Sequence, residues 1–538
     1  MKFVSPFRSL AILLLSGLFA FSVVVPGQTA TPSRTFTIAA QDIPLGFDSD
    51  ILTPGGQQVI PQLFEPLVEF AYTKANKTGA RSIDVSKIEP RLALRWSKSS
   101  DGTKWVFKLR KGVKSSFGNE FTANDVKWSW DKSIAQGRTG NFIRNISNVR
   151  SVRVISSDQV QFQLDKPNAF FIQALALTTP AIYDSTQMKK VATPSDPWGL
   201  VWLRTNAAGY GPYFIDTYQA GTQIILKSNP NYYRTQPFFN QVIYRSVPES
   251  SNRAQLLASR TVDWAEGLTF DQLSRVNDNK NTIVRSTEGN LQTRLVMNPR
   301  FKPFDDVRVR QAVNYAIDKS VIGKAVFKGY GTEMVGPVPK GFECWTETPT
   351  YKADYTKARQ LLTAAGYPNG IDVKLIYSEY SIWDPEIALQ VQQELRKANI
   401  NVTLEKITNA AIISRSAITT RDMPFFVLFE QTQIPDAGYS FGLTSIPSGA
   451  ANRGGYNNPA FTAAVNAANN ISALEYLGES VAAKRCPSLA ELQKQHVEEA
   501  PWAYLWRPGA HFAMNKKIEG WVWRSDNAPR WIDLKRVK

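Results

Sequence analysis

Along residues 35–290 the apolar side chains recur mostly at every second position, the spacing of half-buried strands. Over 103–110, Trp105, Phe107 and Leu109 share one face, while Lys104, Lys108 and Arg110 share the other with Val106. Val160, Phe162 and Leu164 alternate in the same way with Gln161 and Gln163, and 222–226 and 241–247 read as further strands. Helices are rarer in this half; Ala123-Asn124-Asp125 opens one that carries Val126, Trp130 and Ile134. Past Arg300 the period changes. Asp306 can cap a helix with Val309, Ala312, Val313, Ala316 and Ile317 on one face. Asp354 caps another, with Ala358, Leu361, Leu362 and Ala365 facing inward, and Gly366 and Pro368 supply its stop. A strand over 372–377, a helix opened by Asp384-Pro385 and a strand over 401–405 form a βαβ unit, which predicts parallel pairing. A β-rich first half therefore precedes an α/β second half.

The first thirty residues follow neither period. Lys2 and Arg8 precede an apolar run from Leu10 to Val25, which is followed by Pro26-Gly27-Gln28-Thr29-Ala30. A charged start, an apolar middle and a small-residue exit describe an export leader, cleaved near Ala30 or after Gly27, an uncleaved membrane anchor being the alternative. The run is shorter than the roughly 20 residues that span a bilayer, and no Cys stands at the exit to carry a lipid. The expected location is the periplasm.

Export bears on Cys344 and Cys486, the two cysteines of the chain. In an oxidising compartment an even, small count makes a disulfide the default, two buried thiols being the alternative. Length adds a further bound, since 538 residues exceed one hydrophobic core and require at least two domains or lobes. The formal charge of +17, from 63 Lys+Arg against 46 Asp+Glu, would suit nucleic acid if it were clustered. Basic and acidic residues are interspersed instead, so a solvated surface and no nucleic-acid partner are expected.

Candidate chemistry is sparse. No G-x-S-x-G elbow, H-E-x-x-H, P-loop or G-x-G-x-x-G occurs, and His496 and His511 are the only histidines. Paired carboxylates such as Asp305/Asp306 and Glu498/Glu499 read as helix caps or solvated faces. No enzyme activity, metal or cofactor is expected. The competing reading is a secreted hydrolase or polysaccharide-binding scaffold, which would need convergent His or carboxylate groups.

Several segments, taken in order, carry a resemblance. They are Leu92-Ala-Leu-Arg-Trp96, Asp101-Gly-Thr-Lys-Trp-Val-Phe-Lys-Leu-Arg-Lys-Gly-Val113, Phe121-Thr-Ala-Asn-Asp-Val126 and Gly209-Tyr-Gly-Pro-Tyr213. Asn229-Pro-Asn-Tyr-Tyr233, Met297-Asn298 with the run from Pro303 to Asp318, the run from Ala358 to Tyr367, and Gly455-Tyr-Asn-Asn-Pro-Ala-Phe461 follow. Together they resemble the family 5 extracellular solute-binding proteins, receptors of ABC importers for peptides, nickel chelates, opines and some sugars. The resemblance implies an α/β, hinge-connected, two-lobed periplasmic binding protein of type II, in its large class with an extra β-rich subdomain in lobe one. It divides the chain into a leader (1–30), lobe one (31–290, the subdomain at about 70–205), lobe two (291–505) and a C-terminal return to lobe one (506–538). Both cysteines then fall within lobe two, where a bridge is reasonable. The expected partners are a small-molecule or peptide ligand and the membrane permease of an ABC importer, with the receptor itself a monomer.

The same resemblance places three segments at the cleft. One holds Tyr380, Ser381 and Trp383; the next holds Glu430, Gln431, Gln433 and Asp436; the last holds Asn452, Arg453 and Tyr456. Peptide-binding relatives set an Asp near the position of Gln431 and an Arg near that of Ser381, so the usual partners for a peptide's charged ends are expected to be missing.

Overall fold

The computed structural model describes residues 34–51, 55–136, 147–177, 180–378, 383–474 and 479–538. The expected leader lies outside them. Two sheets organise the chain. In the first, of seven strands, the order is Thr282–Thr287, Ala510–Asn515, Trp264–Ala265, Thr35–Ala40, Gln241–Ser246, Gln223–Ser228 and Tyr213–Gln219. Thr35–Ala40 runs parallel to both its neighbours, and its Phe36, Ile38, Ala39 and Ala40 are buried. That near-continuous burial is what covering both faces of a parallel strand requires.

The second sheet has six strands in the order Thr332–Glu333, Trp502–Arg507, Leu291–Met297, Phe425–Gln431, Ile371–Ser378 and Ile400–Ile407. Ile371–Ser378 and Ile400–Ile407 pair in parallel from Ile371 opposite Ile400 to Ser378 opposite Ile407, as the βαβ pattern predicts. The intervening helix Asp384–Arg396 carries Pro385 in its first turn, and its Ile387, Ala388, Val391 and Leu395 are buried. Asp306 and Asp354 each cap their helix by accepting a backbone N–H, from Arg308 and Lys357 respectively. Leu361 and Ala365 are only half-buried, so the inward stripe of that helix is narrower than the period suggests.

A four-stranded antiparallel sheet, Ala93–Lys98, Lys104–Leu109, Gln159–Leu164 and Val149–Ser156, stands apart from both. Its Trp105, Phe107 and Leu109 pack on Phe162 and Phe171, the face the alternation marks out. Of two further helices in the β-rich half, Phe270–Asp278 sets Phe270, Leu273 and Val276 on one buried face, while Ser250–Ala258 buries only Arg253 and Leu257. Tertiary packing supports them, together with a capping box in which Thr269 and Gln272 satisfy each other's backbone N–H.

Cys344 and Cys486 are bridged, with their Cα atoms 4.8 Å apart, which removes the free-thiol alternative. The bridge ties a loop to the helix Glu479–Glu499. No helix among the described residues is long and apolar enough to cross a membrane.

Candidate ligand-binding site

The chain passes from the seven-stranded sheet to the six-stranded one through Glu288, Gly289 and Asn290, and returns through Pro508 and Gly509. The two crossings touch. A Cβ on Gly289 would stand 2.9 Å from the carbonyl carbon of Gly509, and Gly509 has φ +81°, so both positions demand glycine. Arg507 fastens the crossings by donating to the Gly289 carbonyl, to Glu288 at 3.0 Å and to the Lys340 carbonyl at 2.8 Å.

Beside the crossings opens a cavity of about 400 Å³. Gln41, Gln57, Trp264 and Glu266 border it from the first sheet's side, and Trp383 borders it from the second sheet's side. Gln41 and Glu266 stand just past the carboxyl ends of the parallel strands Thr35–Ala40 and Trp264–Ala265, where open α/β sheets present ligands. Glu266 accepts from the Tyr244 hydroxyl at 2.8 Å, and burial pushes its carboxyl up to about 8. His511, on the same wall, donates from Nε2 to the Pro508 carbonyl at 2.6 Å and accepts at Nδ1 from Ser286 at 2.8 Å. Burial lowers its pKa, so the ring is neutral. Trp383 packs in a cluster with Phe270, Phe327 and Phe429, at 5.2, 5.8 and 5.5 Å between ring centroids.

A second cavity, of about 330 Å³, lies against the six-stranded sheet and shares Leu291 with the first. Ser378, Asp384, Glu430, Gln431 and Arg453 border it. Glu430 lies 3.7 Å from Arg294 and 3.6 Å from Arg453. Burial raises its pKa against the lowering pull of the two cations. Arg294 stacks over Trp502 at 3.6 Å, and its burial pushes it down to about 10. Arg453 donates to Ser416 at 3.0 Å. Gln431 faces the C-terminal segment, donating to the Ser525 carbonyl at 2.9 Å and accepting from Asn527 at 3.2 Å. Asn290 makes a second such link, donating to the carbonyls of Thr432 and Ser525 at 2.7 and 2.6 Å.

Of the residues the sequence marks for the cleft, Trp383, Glu430, Gln431 and Arg453 border these cavities, and Gln433 is half-buried. Tyr380 and Ser381 lie outside the described residues. Three expectations need correction. Asp436 is fully buried, and both its oxygens go to Arg485 at 2.6 and 2.8 Å while it caps the helix Ala437–Thr444. Asn452 spends its amide on Ile446 and Tyr456 at 2.8 Å each, holding a turn. Tyr456 is a core residue whose hydroxyl donates to Glu499 at 2.7 Å. The polar groups of all three are engaged within the protein.

Sequence reasoning missed the opposite wall, Gln41, Gln57, Glu266, Asn290 and Asn527. No periodicity marks them. The one available signal was position, for Gln41 and Glu266 each follow an apolar run that ends a parallel strand.

Two sheets joined by a pair of touching crossings, with a cavity between them, define a hinged two-lobed binding protein. The chain belongs to the bacterial extracellular solute-binding proteins of family 5, whose middle-region model matches residues 87–452. Such proteins are the receptors of ABC importers, and this chain is one of them. It is 27% identical over 441 residues to an Escherichia coli protein named a probable D,D-dipeptide-binding periplasmic protein, covering 81% of this chain and 82% of that one. It is also 27% identical to the glutathione-binding protein of Shigella flexneri, covering 70% and 72%. Among solved structures, HbpA2 from Haemophilus parasuis superposes with a TM-score of 0.80 at 20% identity, covering 94% of this chain and all (100%) of that one.

Proposed function

We propose that the chain captures a small organic solute in the periplasm by lobe closure and presents it to the permease of an ABC importer, without chemical conversion. In this reading, lobe one spans 31–290 with its β-rich subdomain at about 70–205, lobe two spans 291–505, and 506–538 returns to lobe one. The leader is removed near Ala30, and the receptor acts as a monomer. The observation that carries the reading is the cavity of about 400 Å³ at the touching crossings, with walls from both sheets. A ligand that contacts both walls binds the closed form better than the open one and so shifts the population toward it.

A dipeptide with free ends is a poor match. An ammonium or carboxylate leaves water only for a charged partner. Asp436 is spent on Arg485, and Glu430 is shared between Arg294 and Arg453. Gln431 is neutral and bonded to the C-terminal segment. The solute is accordingly a molecule that presents hydroxyl or amide groups, such as a sugar derivative, an opine-like conjugate or a longer peptide held by its backbone. Calorimetric titration against dipeptides, blocked dipeptides and sugar conjugates tests this, with small-angle scattering as the closure readout. Conjugated compounds and dipeptides blocked at the carboxyl end should bind and compact the protein. Sub-micromolar binding of free dipeptides that is lost on blocking the carboxyl end would overturn the ligand assignment, and an unchanged scattering profile with bound ligand would overturn closure.

A further inference from the structure

Glu266 is a carboxyl at the rim of the cleft, and its bond to Tyr244 accounts for only one of its two oxygens. It follows the strand Trp264–Ala265 and borders the cavity. Its Oε2 accepts from Tyr244 at 2.8 Å, while Oε1 is shielded from solvent and has no partner among the described residues. The nearest cation, Arg253 on the helix Ser250–Ala258, does not pair with it. That guanidinium donates to the backbone carbonyls of Glu266, Val247, Pro248 and Gly267 at 2.6–2.9 Å. Among the described residues, no Lys or Arg borders the cavity. The remaining walls are the aromatic rings of Trp264, Trp383 and Phe512, and neutral amides such as Gln41 and Asn527.

A carboxyl that shares a cavity with aromatic rings, and whose neighbouring cation is spent on backbone carbonyls, is the complement of an ammonium. We propose that Glu266 is the ammonium-binding group of the cleft, and that the solute is an amine with a neutral, hydrogen-bonding body. The inference rests on the receptor reading and names the chemical class of its ligand.

The groups around Glu266 shape how binding responds to pH. Burial holds its carboxyl at about 8, against the lowering influence of Tyr244 and Arg253. Asp42 and Glu249 act on Arg253, and His511, which borders the same cavity, is neutral. At pH 7 the free receptor therefore carries Glu266 mostly protonated. An arriving ammonium stabilises the carboxylate, so the Glu266 proton leaves to solvent while the ligand keeps its own charge. Affinity then rises with pH below 8, by up to about tenfold per pH unit.

The test uses a library of aliphatic primary amines bearing amide or hydroxyl groups, 6-aminohexanamide and aminohexyl glucoside among them, each paired with its N-acetylated form. Thermal shift identifies binders, and calorimetry at pH 6, 7 and 8 in phosphate and in Tris counts released protons. Amines should bind, their acetylated partners should not, and close to one proton should be released at pH 7. Glu266→Gln should lose at least tenfold in affinity and all pH dependence without lowering the ligand-free melting temperature. Tyr244→Phe, which strips one stabilising hydrogen bond from the carboxylate, should move the pH rise upward and serves as the second variant if the first does not fold. Failure of every amine to bind, or amine affinity unchanged in Glu266→Gln, overturns the proposal. Compaction by an acetylated member alone overturns it too, yet leaves the receptor reading standing.

Discussion

At Asp436 the identity of a residue and its use come apart. In sequence it is a carboxylate beside a cleft segment; in the fold its side chain is 1% exposed and locked on Arg485, which is 2% exposed. Glu343 approaches the same guanidinium at 3.8 Å and is pushed up to about 7 by its burial and by the Asp436 charge. Removing one partner of a buried pair leaves the other uncompensated, at a cost of about 3–5 kcal/mol. Asp436→Ala should therefore lower unfolding free energy by that amount in urea titration, while the folded fraction keeps its ligand affinity. A variant of native stability with weakened binding would return Asp436 to the ligand site. Trp383 is the contrasting case, since its ring both borders the cavity and completes an aromatic cluster.

Among the elements, the helix Glu479–Glu499 is secured twice. The 344–486 disulfide spans a separation of 142 residues. The helix it reaches, Glu479–Glu499, also carries Arg485, the partner of Asp436. In the chain-entropy account, closing a loop of this length stabilises by on the order of 5 kcal/mol. A Cys344→Ser/Cys486→Ser double variant should unfold at lower denaturant by a corresponding amount, with an m-value reporting a less confined unfolded chain. Equal midpoints for the oxidised and double-variant proteins would show that Arg485 and its partners suffice alone. The crossings are the second critical element, where Gly289 and Gly509 let two backbones pass in contact.

For the whole molecule, buried titratable groups set opposing pH slopes. His496 sits among Phe441, Tyr456, Phe461 and Trp502, bonded to Tyr504 at 2.6 Å and Ser445 at 3.1 Å. Burial pushes its pKa down to about 3, against the ordinary 6.5. Between those values the unfolded chain binds a proton that the folded one refuses, so stability falls as pH drops below 6.5, by roughly 1 kcal/mol per unit. Glu266 acts in the other direction. Its folded pKa of about 8 exceeds the unfolded 4.5, so its contribution is full below 4.5 and is lost as pH rises toward 8. The two partly cancel between 4.5 and 6.5. Comparing chemical unfolding of the wild type and His496→Gln at pH 7, 5.5 and 4 isolates the histidine: the wild type should lose more stability than the variant on acidification. Parallel profiles would exclude His496 as an acid-labile group.

The amino-acid sequence determined what depends on neighbours along the chain. Caps at Asp306 and Asp354, the alternation in Lys104–Leu109 and the βαβ period through Asp384–Arg396 are local matters of hydrogen bonding and solvent exposure, and all were legible. The family motifs carried the rest of the architecture. Tertiary structure alone decided which polar groups face the cavity. Asp436, Asn452 and Tyr456 turn inward because Arg485, Ile446 and Glu499 supply partners from distant or unmarked positions. Glu266 and Gln41 reach the cleft because parallel strands from far-apart segments end side by side, and Asn527 because the C-terminal segment returns, its Ser525 meeting Asn290 across 235 residues. Periodicity records whether a side chain is buried. It does not record what lies across the gap, and that decides whether a buried polar group serves the fold or a ligand.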